Sequence, residues 1–332
     1  MDHFILHTGQ HYSYNMDKVF FEQLGLPEAK YNLDAGSGMH GEQTGKMLAG
    51  IEKVLLEEKP DVVLVQGDTN TVLAGALAAA KLHITVGHVE AGLRSFDRKM
   101  PEEINRVLAD HCSDYLFAPT ERSRELLLKE GIGEEKIFMT GNTIVDAVFQ
   151  NLKLAKNDVL KENGLKEKGY ILVTAHREEN VDDPERFRDI LKGIDMVSRE
   201  LDMPAIYPIH PRSRKMMERF GFSVNDSMKL IEPLNYLNFL KLEAGAKLVL
   251  TDSGGVQEET CILGVPCVTL RDNTERPETV EVGSNVLAGI KSENIVEAAR
   301  RMLVKDKSWK NPFGEGKAAE KIGRVIKMIQ DR

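Results

Sequence analysis

Long apolar runs are missing from this sequence. No stretch reaches membrane-spanning length, and the first residues do not follow the order of a secretion signal. A basic excess is missing too. The formal net charge is −8 and the pI is near 5.7. With no Lys/Arg run or basic tail, nucleic acid is excluded as the expected partner. An anionic small molecule is still possible where cations are gathered locally. Cysteine is scarce. Cys112, Cys261 and Cys267 are odd in number and have no metal-ligand spacing, so no metal site is expected and buried thiols in a reducing cytoplasm are. Internal repeats and low-complexity segments are absent. So are a dinucleotide fingerprint, a hydrolase elbow and a zinc motif. Gly-Glu-Gln-Thr-Gly-Lys-Met (41–47) resembles a P-loop but fails it, because Gly is needed at His40 and Ser or Thr at Met47.

What is present is a regular alternation of short apolar strands and helices. At 332 residues the length suits about two domains, each able to bury its own core. Strands are expected at Phe4–His7, Val62–Gln66, Ile84–His88, Tyr115–Ala118 and Ile137–Thr140. After the charged stretch Asn151–Lys168 they resume at Ile171–Thr174, Ala205–Ile209, Lys229–Ile231, Leu248–Thr251, Cys267–Leu270 and Asn285–Ala288. Helices fall between them, including Asp17–Gln23, Glu42–Glu58, one starting at Pro101, Pro184–Arg199 and a separate last helix, Lys317–Ile329. This pattern predicts two parallel, doubly wound sheets joined near Gly141-Asn-Thr, with ligands at the strands' carboxyl ends.

The polar residues sit at those ends. Asp252-Ser-Gly-Gly follows a buried strand and opens a helix, whose unsatisfied N–H groups and dipole attract phosphate. Ser253 is a candidate cap. Gly254 and Gly255 allow close approach of a ligand, and Glu258 and Glu259 lie one turn further on, where a carboxylate suits a ribose diol. Alone, the stretch reads equally as an ordinary strand-to-helix turn. Glu102 and Arg106 are i and i+4 on one helix face, which alone would be a surface pair. Asp68 follows Gly67 at a strand end, where a helix cap is its commonest job. Glu90 lies among small and apolar residues that would raise its pKa, or it pairs with Arg94. His176, Arg177, His210, Arg271 and Arg276 occupy corresponding strand ends in the second half. Several carboxylates and a histidine together suit abstraction and return of a proton.

The motifs then combine. Gln-Gly-Asp-Thr (66–69), His-Val-Glu-Ala-Gly-Leu-Arg-Ser (88–95), Pro-Glu-Glu-Ile-Asn-Arg (101–106) and Gly-Asn-Thr-Ile-Val-Asp (141–146) form one set. Thr-Ala-His-Arg-Glu-Glu-Asn (174–180), Thr-Asp-Ser-Gly-Gly-Val-Gln-Glu-Glu (251–259), Arg-Asp-Asn-Thr-Glu-Arg-Pro-Glu (271–278) and Asn-Pro-Phe-Gly-Glu-Gly (311–316) form the other. In this order the chain resembles the non-hydrolysing UDP-N-acetylglucosamine 2-epimerases, nearly end to end. The resemblance implies an α/β fold of two Rossmann-like domains facing a cleft, glycosyltransferase-B-like. It divides the chain into an N-terminal domain of residues 1–142 plus 314–332 and a UDP-binding domain of residues 143–313. It implies interconversion of UDP-N-acetylglucosamine and UDP-N-acetylmannosamine through a glycal, with no cofactor, in a cytoplasmic homodimer serving polysaccharide synthesis. By motif, Asp68, Glu90, Glu102, Arg106 and His176 are the expected catalytic residues. Ser253, Gly254, Gly255 and Glu259, with the cations Arg94, Arg271 and Arg276, are the expected UDP-sugar ligands. Gln10, Arg177 and His210 match parts of a second, activating site, while Ser13 departs from that site's pattern.

The resemblance is incomplete at the start. The family opens with a strand and Gly-Thr-Arg-Pro-Glu, whereas this sequence opens at what resembles the second strand. Loss of an inner strand would leave neighbouring strands unpaired, so weak turnover or none is the expectation for this form. The alternatives are a hydrolysing epimerase that releases free sugar, a glycosyltransferase of the same fold, and a nucleotide-sugar binder without turnover.

Overall fold

The computed structural model describes residues 2–9, 24–156, 158–305 and 308–330. Gln10, Ser13 and the expected helix Asp17–Gln23 lie outside the described residues. The strands are β1 Leu6–His7, β2 Tyr31–Asn32, β3 Val62–Gln66, β4 Thr85–Val89, β5 Tyr115–Ala118, β6 Ile137–Met139, β7 Ile171–Thr174, β8 Ala205–Pro208, β9 Met228–Ile231, β10 Leu248–Thr251, β11 Cys267–Thr269 and β12 Asn285–Leu287. Every described ladder is parallel. The protein is therefore α/β, built from two Rossmann-like units. One unit is Met1–Asp146 with Phe313–Arg332, and the other is Ala147–Pro312.

In the second unit the sheet order is β12-β11-β10-β7-β8-β9. Its strands are apolar on both faces, as helices on both sides require. Ile171, Val173, Leu248 and Leu250 share one core with Phe187, Ile190 and Ile194. The intervening Leu172 and Val249 enter the other core with Leu242, Ala246 and Val256. Two-residue alternation within a continuous apolar run thus fills two layers. The helix Pro184–Leu201 shows why these sequences fold locally. Asp183 caps it by accepting from the Glu185 and Arg186 N–H groups, Pro184 takes the first turn, and Asp202 ends it in a left-handed conformation. Its buried Phe187, Ile190, Leu191, Ile194 and Val197 repeat at helical spacing.

In the first unit the four-stranded sheet runs β3-β4-β5-β6. Val65 and Val86 pack with Met47, Ile51 and Val72 on one side, while Val89 and Phe117 pack with Ile322 and Ile326 of the last helix. That helix spans Ala318–Gln330, and the paired Asp146 oxygens accept its first N–H groups, from Ala318 and Ala319. β1 is shorter than expected, because its ladder covers only Leu6↔Tyr31 and His7↔Asn32. β2 had no sequence signal; it is two residues in a polar segment. Among the described residues this pair forms its own two-stranded sheet. The helix Thr143–Leu154 was also missed, because Gly141-Asn142 read as a joint.

Gly92 fixes the loop after β4. Its φ is +82°, and an added Cβ would stand 2.4 Å from the Ser123 carbonyl oxygen. Gly92→Ala is expected to cost about 2–3 kcal/mol in urea-induced unfolding. An unchanged midpoint would contradict this account of the loop.

Candidate active site

In the first unit the chemistry-bearing residues stand at the carboxyl ends of β3 and β4 and on the helix Pro101–Cys112. β3 ends at Gln66. Gly67 turns the chain at φ +83°, and Asp68 follows. Arg106 donates to Asp68 Oδ2 through Nε at 3.0 Å and Nη2 at 2.6 Å. Its Nη1 reaches Glu103 Oε2 at 2.9 Å. Asn105 donates to the Asp68 carbonyl at 2.9 Å. Asp68 is therefore oriented by three groups, two of them from Arg106.

Glu90 directly follows β4 in a left-handed conformation, φ +69°, which costs a non-glycine residue of order 1 kcal/mol or more. Its carboxylate accepts from Gln66 Nε2 at 3.2 Å, and that amide also reaches Thr143 Oγ1 at 3.0 Å. Asp68, Glu90 and Arg106 are thus brought to one sheet end. Glu102 is exposed on the helix's first turn and unpaired among the described residues. The expected Glu102–Arg106 pair does not form, because Arg106 turns inward to Glu103 and Asp68.

Two partners carried no sequence signal of their own. Glu103 is buried and accepts from Ser95 N at 2.9 Å, Ser95 Oγ at 3.0 Å and Phe96 N at 2.9 Å. Burial opposes its charge, but these N–H groups and Arg106 outweigh it and hold the carboxyl below the usual range. Asp110 is the second. It meets His88 Nδ1 at 2.6 Å, Gly92 N at 3.1 Å and Arg94 Nη2 at 2.7 Å. His88 Nε2 contacts the Gly67 carbonyl at 2.8 Å. Both ring nitrogens face oxygens, so both carry protons and the ring is an imidazolium. Burial works against this charge, yet Asp110 and Gly67 raise the pKa overall. Arg94, expected among the substrate cations, is instead enclosed. Its side chain is 1% exposed and bound to Asp110 and Glu130.

In the second unit Asp252 is fully buried at the end of β10. Its Oδ2 accepts from the His176 and Arg177 N–H groups, each at 2.9 Å, and from Asn180 Nδ2 at 3.2 Å. His176 Nδ1 lies 3.3 Å from the other oxygen. The His210 ring is 5.4 Å from that of His176. His210 Nδ1 accepts from Arg212 N at 3.2 Å, and burial, followed by the nearby His176 ring and Arg212 guanidinium, lowers its pKa. It is therefore a neutral, helix-capping histidine in this structure.

Ser253 occupies the cap position of the helix Gly254–Leu263, but its hydroxyl makes no cap bond, contrary to expectation. Among the described residues, the N–H groups of Gly254, Gly255 and Val256 have no acceptor. A Cβ on Gly255 would meet nothing within 4 Å, and one on Gly254 would meet Glu275 Oε2 at 3.8 Å, so the helix start is open at Gly255 and bordered by a carboxylate at Gly254. That arrangement suits an anion. The nearby guanidiniums are paired. Arg271, 5% exposed, binds Glu179 at 3.1 Å and Glu275 at 2.8 Å. Arg276 binds Glu258 at 2.9 Å. Burial would raise Glu275, but Arg271 and Arg177 bring it down to about 2. Arg177 itself stands 3.8 Å from Glu275. Glu259 is buried one turn into the helix. Among the described residues, no group of three or more His, Cys, Asp or Glu is placed to hold a metal ion, and no helix is long and apolar enough to cross a membrane.

Two Rossmann-like units, each with a parallel sheet, place the protein in the glycosyltransferase-B-like fold class. The family profile described as UDP-N-acetylglucosamine 2-epimerase matches residues 1–327, and the chain belongs to that family. It is 60% identical to the UDP-N-acetylglucosamine 2-epimerase of Methanocaldococcus jannaschii, over 98% of this chain and 91% of the relative. It is 56% identical to that of Methanococcus maripaludis, over 97% of this chain and 90% of the relative. A crystal structure of the M. jannaschii enzyme in complex with UDP-GlcNAc and UDP matches with TM-score 0.87, at 60% identity, over 99% of this chain and 92% of that one.

The His88 imidazolium generates a pH signature. Its folded pKa is raised above the ordinary value of 6.5. Its stabilisation is therefore full below the unfolded pKa and disappears as pH climbs through the folded one. The stability gap between the wild type and His88→Gln should be widest in mild acid and narrow toward alkaline pH. A gap independent of pH, measured by urea unfolding, would contradict the doubly protonated ring.

Proposed function

We propose that this protein interconverts UDP-N-acetylglucosamine and UDP-N-acetylmannosamine without hydrolysis. The observation that carries the reading is 60% identity, across nearly the whole chain, to an enzyme whose crystal structure holds UDP-GlcNAc and UDP. The geometry of the acids supports it. Asp68 and Glu90 are carboxyls at adjacent strand ends, and Glu90 is kept in place at the expense of backbone strain. Strain of this kind concentrates where a side chain must be aimed.

In the reaction, a carboxylate takes the proton from C2 of the sugar. The C1–O bond breaks and UDP leaves with its electron pair, so a C1=C2 double bond forms. A carboxylic acid then returns a proton to the opposite face of C2, and the UDP oxygen adds back at C1. No atom is lost and no redox change occurs. Asp68, Glu90 and Glu102 handle the protons. Arg106 orients Asp68, while Glu103 fixes Arg106. The diphosphate takes the free N–H groups of Gly254, Gly255 and Val256, with Ser253 beside them, and the ribose takes Glu259. His176 is braced by Asp252 at the end of the strand that leads into that helix start. Arg271 and Arg276 order the loop around the nucleotide through their carboxylate partners, and Arg177 and His210 form a polar group next to His176.

Incubation with UDP-N-acetylglucosamine should yield the manno epimer with UDP still attached. Free N-acetylmannosamine and UDP would favour the hydrolysing alternative. Asp68→Asn and Glu90→Gln should each lower kcat about 10²–10⁴-fold while UDP binding persists. Retention of near wild-type turnover by either variant would remove that residue from the proton chemistry.

A further inference from the structure

Glu243 has no part in the scheme above, yet it is a fully enclosed acid of the second unit, as Asp252 is. It lies in the helix Tyr236–Gly245 with 0% exposure. Neither carboxyl oxygen has a hydrogen-bond donor among the described residues. The group it faces is another carboxyl, since Glu259 of the next helix lies within hydrogen-bond reach. Tyr236, two turns earlier on the helix face of Glu243, places its hydroxyl against Glu259. The other titratable neighbours are Glu258, beside Glu259, and the Cys267 thiol on β11, which faces Glu243. None of the groups acting most strongly on either carboxyl is a cation.

Two acceptors in contact with no cation between them must share a proton. An ionised Glu243 would be a buried charge without a partner, which is strongly disfavoured. A protonated Glu243 has an O–H that can donate to Glu259. Burial raises both groups, Glu259 to about 7. We propose that Glu243 is a positioning residue, which keeps the shared proton and donates it to Glu259, holding that carboxylate ionised and aimed at the ribose hydroxyls. Tyr236 supplies the second donor. The inference rests on the reading of Glu259 as the ribose ligand.

The arrangement makes nucleotide binding proton-linked at both ends of the pH range. An ionised Glu259 accepts from both ribose hydroxyls and more strongly than the protonated acid, which keeps a single carbonyl acceptor, so UDP affinity rises with pH through the Glu259 midpoint. At alkaline pH Glu243 ionises in its turn, Glu259 loses its donor and affinity falls. The test is titration of the full chain with UDP and with 2′-deoxy-UDP across this range. Glu243→Gln keeps a donor that cannot ionise, so its affinity should rise as in the wild type but not fall in alkali. Glu243→Leu removes the donor, so the midpoint should move up by about one pH unit and neutral-pH affinity should fall about fivefold. An alkaline fall in Glu243→Gln equal to the wild type's would overturn the proposal. So would a Glu243→Leu midpoint identical to the wild type's, since a merely structural role lowers affinity without moving the midpoint. Glu259→Gln separates the two levels. If it leaves the preference for UDP over 2′-deoxy-UDP unchanged, the ribose reading fails and the proposal with it. If that preference collapses while the Glu243 variants behave like the wild type, the proposal alone fails.

Discussion

In each unit one fully buried aspartate holds the strand-end loops on which the chemistry stands. Asp110 takes the N–H of Gly92, the His88 ring and Arg94. Through His88 it also fixes the Gly67 carbonyl, and so the turn that carries Asp68. Asp252 takes the backbone N–H groups of His176 and Arg177 and the Asn180 amide. Burying a carboxylate is costly unless donors meet it; Asp252 Oδ2 has three, while Oδ1 has no hydrogen bond and lies 3.3 Å from His176 Nδ1. Loops that supply those donors are locked into one arrangement. This requirement converts a stable but generic parallel sheet into a scaffold that holds carboxylates in fixed directions.

The same logic explains how an acidic chain can take an anionic substrate. The guanidiniums of Arg94, Arg106, Arg271 and Arg276 are each bound to a carboxylate. Their charge is largely cancelled locally, and their role is to fix neighbouring groups. In the proposed reading, direct attraction for a phosphate falls instead to backbone dipoles at the start of the helix Gly254–Leu263, whose first N–H groups have no acceptor among the described residues. This division avoids a cluster of free cations and fits a net charge of −8.

Much of this was legible in the sequence. Strand–helix alternation identified parallel sheets, because continuous apolar runs of four or five residues have few other uses. Asp68, Glu90 and Arg106 were legible as strand-end and helix-face residues, and the structure brings them together. What the sequence did not disclose was pairing. Arg106 skips Glu102, its neighbour at the preferred spacing, for Glu103 and Asp68. Asp110 and Asp252 look like ordinary polar residues until their depth is known. Ser253 matches a cap pattern, but its hydroxyl does not close the helix. Side-chain partners at long sequence separation are set by the packing of strands and helices, which local spacing does not encode.

The central claim is that carboxylates of this chain exchange the C2 proton of a UDP-sugar while UDP is retained. Incubation with UDP-N-acetylglucosamine in heavy water tests it most directly. The account predicts deuterium at C2 in UDP-N-acetylmannosamine and, with time, in the recovered substrate. A manno product with protium at C2, or UDP-sugar recovered without any deuterium, would contradict it.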